Sequence, residues 1–302
     1  MLDEAKVLTN ESNLDGVVKA NLKKVTLKLL IWPIVLLFLV AIFFVFSIEN
    51  TFVSTYVESQ KEMFLQLNEA LSIYPNLAYN ITYLGDCLVL FPFVFIFLFL
   101  APKFWEALLT SSLFTLITSA LLKFIFAVPR PAAMINMDAF TIMGRPNIMH
   151  TSLPSGHSMT AFTVVTILLF AFMPKKASHK MLWSAILILS GLVIAFSRVA
   201  VGAHYPFDVV LGCAIGFIMA ILGITINRNI NWLFWMKNKK YYPVIMLILS
   251  IWAYLVILKL IKHNMVIFYL SFIALIVTFC IITFKYVKKN YRQYTSQEYQ
   301  WE

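Results

Sequence analysis

Asp208 lies four residues after His204 in the run S-R-V-A-V-G-A-H-Y-P-F-D, which spans Ser197 to Asp208. At that spacing an imidazole and a carboxylate share one face of a helix. The carboxylate fixes the imidazole tautomer and stabilises its cation, which prepares the other ring nitrogen for nucleophilic attack. A second block, L-P-S-G-H-S at 153–158, places Ser155, Gly156 and His157 just ahead of an apolar run. Ser155 is a capping residue, Gly156 admits close backbone approach, and the start of the helix favours an anion. A third block, K-F-I-F-A-V-P-R-P at 123–131, supplies Lys123 and Arg130. With Arg198 it makes three cations against one carboxylate, a combination suited to a multiply charged oxyanion such as phosphate. Asp208 is the only acid in the three blocks. No residue set has the look of a metal site, so the three cations are expected to neutralise phosphoryl charge without metal or other cofactor.

The elements that must position these groups are membrane helices. Apolar residues make up 61% of the 302-residue chain and charged residues only 13%, far from the balance of a soluble domain. Apolar runs of bilayer-spanning length recur. They predict an all-α, polytopic helix bundle of eight spans, at about 25–48, 83–102, 105–127, 156–174, 182–200, 205–226, 242–261 and 265–284. Residues 1–24 read as a polar cytoplasmic tail, with the first span kept as an anchor. Residues 25–226 form a six-span core with outer loops at 50–82 and 128–155, and residues 227–302 add two spans and a second tail. Within 50–82, Met63, Phe64, Leu67, Ala70 and Leu71 recur at helical spacing. They fit an amphipathic helix at the interface or a partly buried outer loop.

The net charge of +10 does not point to nucleic acid, because its distribution follows the spans. Seventeen of the 24 Lys and Arg residues fall on one side of an eight-span bundle. The positive-inside rule makes that side, and both termini, cytoplasmic. The other seven, Lys61, Lys123, Arg130, Arg145, Arg198, Lys259 and Lys262, fall on the outer side. Ionisable groups deep in a span cost about 2.5–3.5 kcal/mol each, and they mark function when retained. Here Lys123, His157, Arg198, His204 and Asp208 all sit near outer span ends. Packed together they would line one pocket open to the outside. Arg145 and His150, in the second outer loop, read as ordinary loop residues or as headgroup contacts. The three cysteines all lie within spans and carry no information on redox compartment.

The three blocks, in this order, resemble the phosphatidic acid phosphatase type 2 family, which shares its signature with vanadium haloperoxidases. The pattern K-x6-R-P, P-S-G-H, S-R-x5-H-x3-D is matched by Lys123, Arg130 and Pro131, by Pro154 to His157, and by Ser197, Arg198, His204 and Asp208. Each block alone is weakly specific; the three together are highly so. The resemblance covers about 85–226 and implies a lipid phosphate or pyrophosphate phosphatase. In it His204 would attack phosphorus, Asp208 would orient His204, and His157 would protonate the leaving group. Lys123, Arg130, Ser155, Gly156 and Arg198 would hold the phosphoryl oxygens. The implied substrates are undecaprenyl pyrophosphate, phosphatidylglycerol phosphate, phosphatidic acid or a lipid A phosphate. The implied location is the outer, periplasmic face of a bacterial inner membrane, with membrane lipids as partners. A lipid-to-lipid phosphotransferase would use the same phosphohistidine and differ only in its acceptor.

Overall fold

The computed structural model describes residues 14–47, 51–233, 235 and 238–298, with side chains described for all of these but 239, 285 and 288–298. Among the described residues the regular elements are helices and there is no strand; the longest connection, 135–155, holds a single 3-10 turn at Met137–Ala139. In chain order the helices are α1 (14–22), α2 (Ile31–Ser47), α3 (Phe52–Leu71), α4 (Pro75–Thr82), α5 (Cys87–Leu90), α6 (Phe97–Leu100), α7 (Pro102–Phe126), α8 (Pro131–Met134), α9 (Gly156–Ala171), α10 (Ala177–Ala200), α11 (Pro206–Ile226), α12 (Tyr242–His263) and α13 (Val266–Glu298). Among the described residues six segments are long and apolar enough to cross a membrane: Leu27–Ser47, Pro102–Met134, Ala177–Ala200, Pro206–Ile226, Tyr242–His263 and Val266–Phe284.

The two other expected spans take different forms. The fourth, α9, has 16 residues, short of the roughly 20 that a bilayer core requires. The second is not one helix. Pro75–Gly85 and Cys87–Val94 meet at an angle of 88°. The break falls where Asp86 turns its carboxylate onto Leu88 N (3.0 Å) and caps a new helix start. Pro92 then holds the next turn in a 3-10 form.

The segment read as a polar tail is also more than a tail. Val18 and Leu22 of α1, and Val25 after it, are buried in the main apolar core. Asn21 Nδ2 donates to the carbonyls of Ala171 (3.1 Å) and Met173 (3.2 Å) at the end of α9. Asp15 Oδ1 accepts from Lys103 N at 3.0 Å.

Helix α11 is the axis of the bundle and packs against α9, α7, α10 and α2. Glycines set how closely its neighbours approach. A β-carbon at Gly216 would stand 2.4 Å from Met159 O, one at Gly212 would stand 2.8 Å from Ser155 O, and one at Gly223 would stand 2.0 Å from Ser111 Oγ. Helices meet this tightly through small residues, which is how helix pairs gain packing energy in lipid. The seam fixes the register of α9 on α11, and with it the heights of Ser155 and Asp208.

Candidate active site

Helices α7 and α10 end, and α9 and α11 begin, at the same end of the bundle. The chain leaves α7 through Ala127, whose left-handed backbone (φ 45°) lets its N–H close on Lys123 O at 3.1 Å. Pro131 then starts α8, with extended Arg130 just before it. The connection between α7 and α9 folds back on itself, with Arg130 N donating to Met149 O (3.2 Å) and Ser152 N donating to Val128 O (2.9 Å). Ser155 caps α9, its Oγ accepting from Ser158 N at 3.4 Å, while its own N–H donates to Asp208 O at 3.0 Å. That last bond joins the starts of α9 and α11 directly.

The imidazole of His204 contacts Asp208 through Nδ1, 3.3 Å from Oδ2, and both side chains are buried. The spacing argument gave the right contact for a partly wrong reason. His204 precedes α11, which starts at Pro206, and Asp208 stands in its first turn. There Oδ2 also accepts from Tyr205 N (2.9 Å) and Ser152 Oγ (2.5 Å), while Oδ1 accepts from Tyr56 OH (2.8 Å). Four donors thus converge on one buried carboxylate, which keeps it an acceptor toward Nδ1–H and leaves Nε2 of His204 with its lone pair. Burial, together with the charges of Arg130, Arg198 and Lys123, pushes the His204 imidazole well below its ordinary value of 6.5.

The cations surround this pair. Arg130 Nη1 donates to Ala203 O at 3.1 Å, next to His204. Arg198 Nη1 donates to Thr82 Oγ1 at 2.7 Å. Lys123 Nζ comes so near Gly156 that a β-carbon there would stand 3.3 Å from it. The Nε atoms of Arg130 and Arg198 are buried and have no hydrogen-bond partner among the described residues. An orphaned donor costs about 1–3 kcal/mol, and two on adjacent guanidinium groups mark a place for anionic oxygens. His157, half-buried, packs its Cβ and ring against Gly85, where a β-carbon would stand 2.6 Å from His157 Cβ. Lys123, Arg130, Ser155, Gly156, His157, Arg198, His204 and Asp208 thus come to one end of one bundle. Arg145 and His150 lie exposed on the outer loop. Among the described residues no three His, Cys, Asp or Glu side chains are grouped as metal ligands would be.

Apolar periodicity misses what α3 contributes. The face it buries carries Tyr56, Gln60, Phe64 and Asn68, four apart, with Val57 beside them; Met63 and Leu71 are 39% and 40% exposed. Three of these four are polar, and each meets backbone or the buried carboxylate. Gln60 Oε1 accepts from Phe207 N (3.0 Å), and its Nε2 donates to Tyr56 O (2.8 Å). Asn68 Nδ2 donates to Val199 O (2.9 Å), Ala200 O (3.1 Å) and Thr141 O (3.0 Å). Phe64 stacks edge-on against Tyr205 at 5.6 Å. Helix α3 is a strap across the end of α10 and the start of α11, tied at both ends of the His204 loop. Tyr56→Phe removes one donor from Asp208 and keeps the ring contacts with Phe44 (5.0 Å) and Phe52 (5.5 Å). A hydrogen bond to a charged group is worth about 1.5–3 kcal/mol. The variant is therefore expected to lose about ten- to a hundred-fold in kcat, with KM changed less than about twofold. An unchanged kcat would show that Tyr56 only fills space.

The motif order, the helix ends that present it and the His–Asp contact define a superfamily. Residues 103–232, which contain all three motif blocks, match the PAP2 superfamily. Among individual proteins, an undecaprenyl-diphosphatase of Sulfolobus acidocaldarius is 29% identical over 128 residues, covering 42% of this chain and 57% of that protein. A phosphatidylglycerophosphatase B of Bacillus subtilis is 29% identical over 153 residues, covering 47% of this chain and 70% of that protein. The crystal structure of Aquifex aeolicus LpxE is 30% identical, with a TM-score of 0.47 over 55% of this chain and 94% of that one. The chain thus spans little more than half the length of the first of these relatives.

Proposed function

We propose that the protein is a membrane lipid phosphate phosphatase that works through a phosphohistidine on His204. The observation that carries this reading is the buried His204–Asp208 contact of 3.3 Å beside two guanidinium groups whose Nε donors are unpartnered. Nε2 of His204 attacks phosphorus. The bond from phosphorus to the lipid oxygen, or to the outer phosphate of a pyrophosphate, breaks as His157 delivers a proton to the leaving oxygen. Lys123, Arg130 and Arg198, with the N–H groups at the start of α9, take up the charge that builds on the phosphoryl oxygens, without metal. Water then attacks the phosphohistidine, with His157 accepting its proton, and free phosphate departs.

A lipid substrate suits a polar site set at the end of an apolar bundle, where headgroup and tails part company. The relatives' names point to polyprenyl diphosphates and glycerophospholipid phosphates, and all three relatives come from prokaryotes. The bias of basic residues toward the opposite end supports both termini in the cytoplasm, with the site on the outer face of the cytoplasmic membrane. Detergent-purified protein with excess chelator, offered undecaprenyl pyrophosphate, phosphatidylglycerol phosphate, phosphatidic acid and a lipid A phosphate, is expected to release stoichiometric phosphate from at least one. Loss of release on chelation overturns the metal-free reading. Label appearing on an acceptor lipid in place of free phosphate makes the protein a phosphotransferase.

A further inference from the structure

We propose that the two C-terminal helices, α12 and α13, which lie beyond the segment matched to the superfamily, hold one wall of the reaction site, with Lys259 as a positioning residue. The proposal rests on the phosphatase reading of that site. The wall is the turn Thr82–Asp86 at the break in the second apolar segment. It touches two of the site's groups. Thr82 Oγ1 accepts from Arg198 Nη1 at 2.7 Å, and Gly85 is the surface on which His157 packs.

A break in a helix frees backbone groups that lipid cannot satisfy, so neighbouring protein must do so. Here α12 and α13 supply the partners. Trp252 Nε1 donates to Leu88 O at 2.8 Å, and Ser271 Oγ donates to Val89 O at 3.1 Å. Ile267 N donates to Asn80 Oδ1 at 3.1 Å. The Lys259 ammonium is ion-paired with Asp86 and sits 5.4 Å from the centre of the Tyr83 ring, which in turn meets Phe268 edge-on at 4.8 Å. Asn80, Tyr83, Asp86, Leu88 and Val89 are thus held by the C-terminal pair, and Thr82 and Gly85 meet the site itself. Lys259 grips it at Asp86, the residue that caps the new helix start. A lysine merely reaching for the interface would have no such partner.

The test compares wild type, Lys259→Met and Lys259→Arg, each purified in detergent. Phosphate release is measured on whichever panel lipid wild type hydrolyses fastest. Thermal unfolding is measured with and without inorganic phosphate, whose binding raises Tm independently of turnover. Displacing catalytic groups by a fraction of an ångström costs up to about a hundred-fold. Lys259→Met is therefore expected to lower kcat ten- to a hundred-fold and to shrink the phosphate-induced rise in Tm. Lys259→Arg should recover most of both. If Lys259→Met does not accumulate folded, Asp86→Asn removes the ion pair while keeping a capping oxygen for Leu88 N, and it should show the same losses. Wild-type kcat and phosphate response in folded Lys259→Met, or in Asp86→Asn, overturn the proposal and leave the phosphatase reading intact. A wild-type protein that shows neither turnover nor a phosphate response overturns the phosphatase reading instead.

Discussion

His204→Ala is expected to lower lipid phosphate hydrolysis by about ten-thousand-fold or more, the scale of loss when a nucleophile is removed from a covalent mechanism. The effect should fall on kcat. The groups that grip phosphate, Arg130, Arg198 and Lys123, are left in place, so phosphate binding as read by thermal unfolding should survive. Brief reaction of wild type with labelled substrate should give an acid-labile, base-stable phosphoprotein, and His204→Ala should give none. His157→Ala should still form it from a substrate with a good leaving group, because only proton delivery is impaired. Undiminished turnover in His204→Ala would remove this residue from the nucleophile's role and send the search to His157.

Asp208→Asn is expected to cost about a thousand-fold in kcat with little loss of fold, whereas Asp208→Ala should damage both. The difference lies in where the carboxylate's partners stand. Oδ2 faces three donors, from Ser152, Tyr205 and His204, and Oδ1 faces only the Tyr56 hydroxyl. An asparagine can keep its oxygen toward the three donors and turn its amide toward Tyr56, because a hydroxyl accepts as readily as it donates. The geometry then holds, and what is lost is the negative charge that stabilises the imidazole as it turns cationic on attack. Alanine instead strands several buried donors at about 1–3 kcal/mol each, a large share of the stability of any domain. Comparable thermal stability of the Asn and Ala variants, or near-wild-type kcat in the Asn variant, would contradict this account of the carboxylate.

The groups that carry chemistry were legible because they are out of place. An arginine, a histidine and an aspartate between two apolar runs need a reason, and three such blocks in one order narrow it to phosphate. The long spans were legible from the same apolar runs. What stayed hidden follows from what apolar pattern cannot register. Tyr56, Gln60 and Asn68 are polar, so a search for apolar residues at helical spacing caught Phe64 of the buried face but took the exposed Met63 and Leu71 with it. Their burial is repaid by partners far away in sequence, Asp208 and Phe207 at the start of α11 and Val199 at the end of α10, and such partners have no signature in a single chain. The break at Gly85–Asp86 was masked because broken and continuous helices draw on the same apolar residues. Asp86 and Pro92 are visible signs of it only after Lys259 is seen beside Asp86. Val18 and Leu22 of α1 were overlooked for a related reason: two apolar residues in a polar stretch look incidental until a core lies against them.

The glycine seam between α9 and α11 has a consequence for how a protein of this kind can diversify. His157 opens α9 and His204 directly precedes α11, and the two helices mesh through missing side chains, so the heights of the two imidazoles are set by backbone against backbone. The strap over the site and the wall behind it precede the shared segment, and the helices that brace the wall follow it. Because Tyr56 of the strap and Thr82 of the wall bond directly to Asp208 and Arg198, a change in either part reaches the reacting groups as well as whatever binds between them.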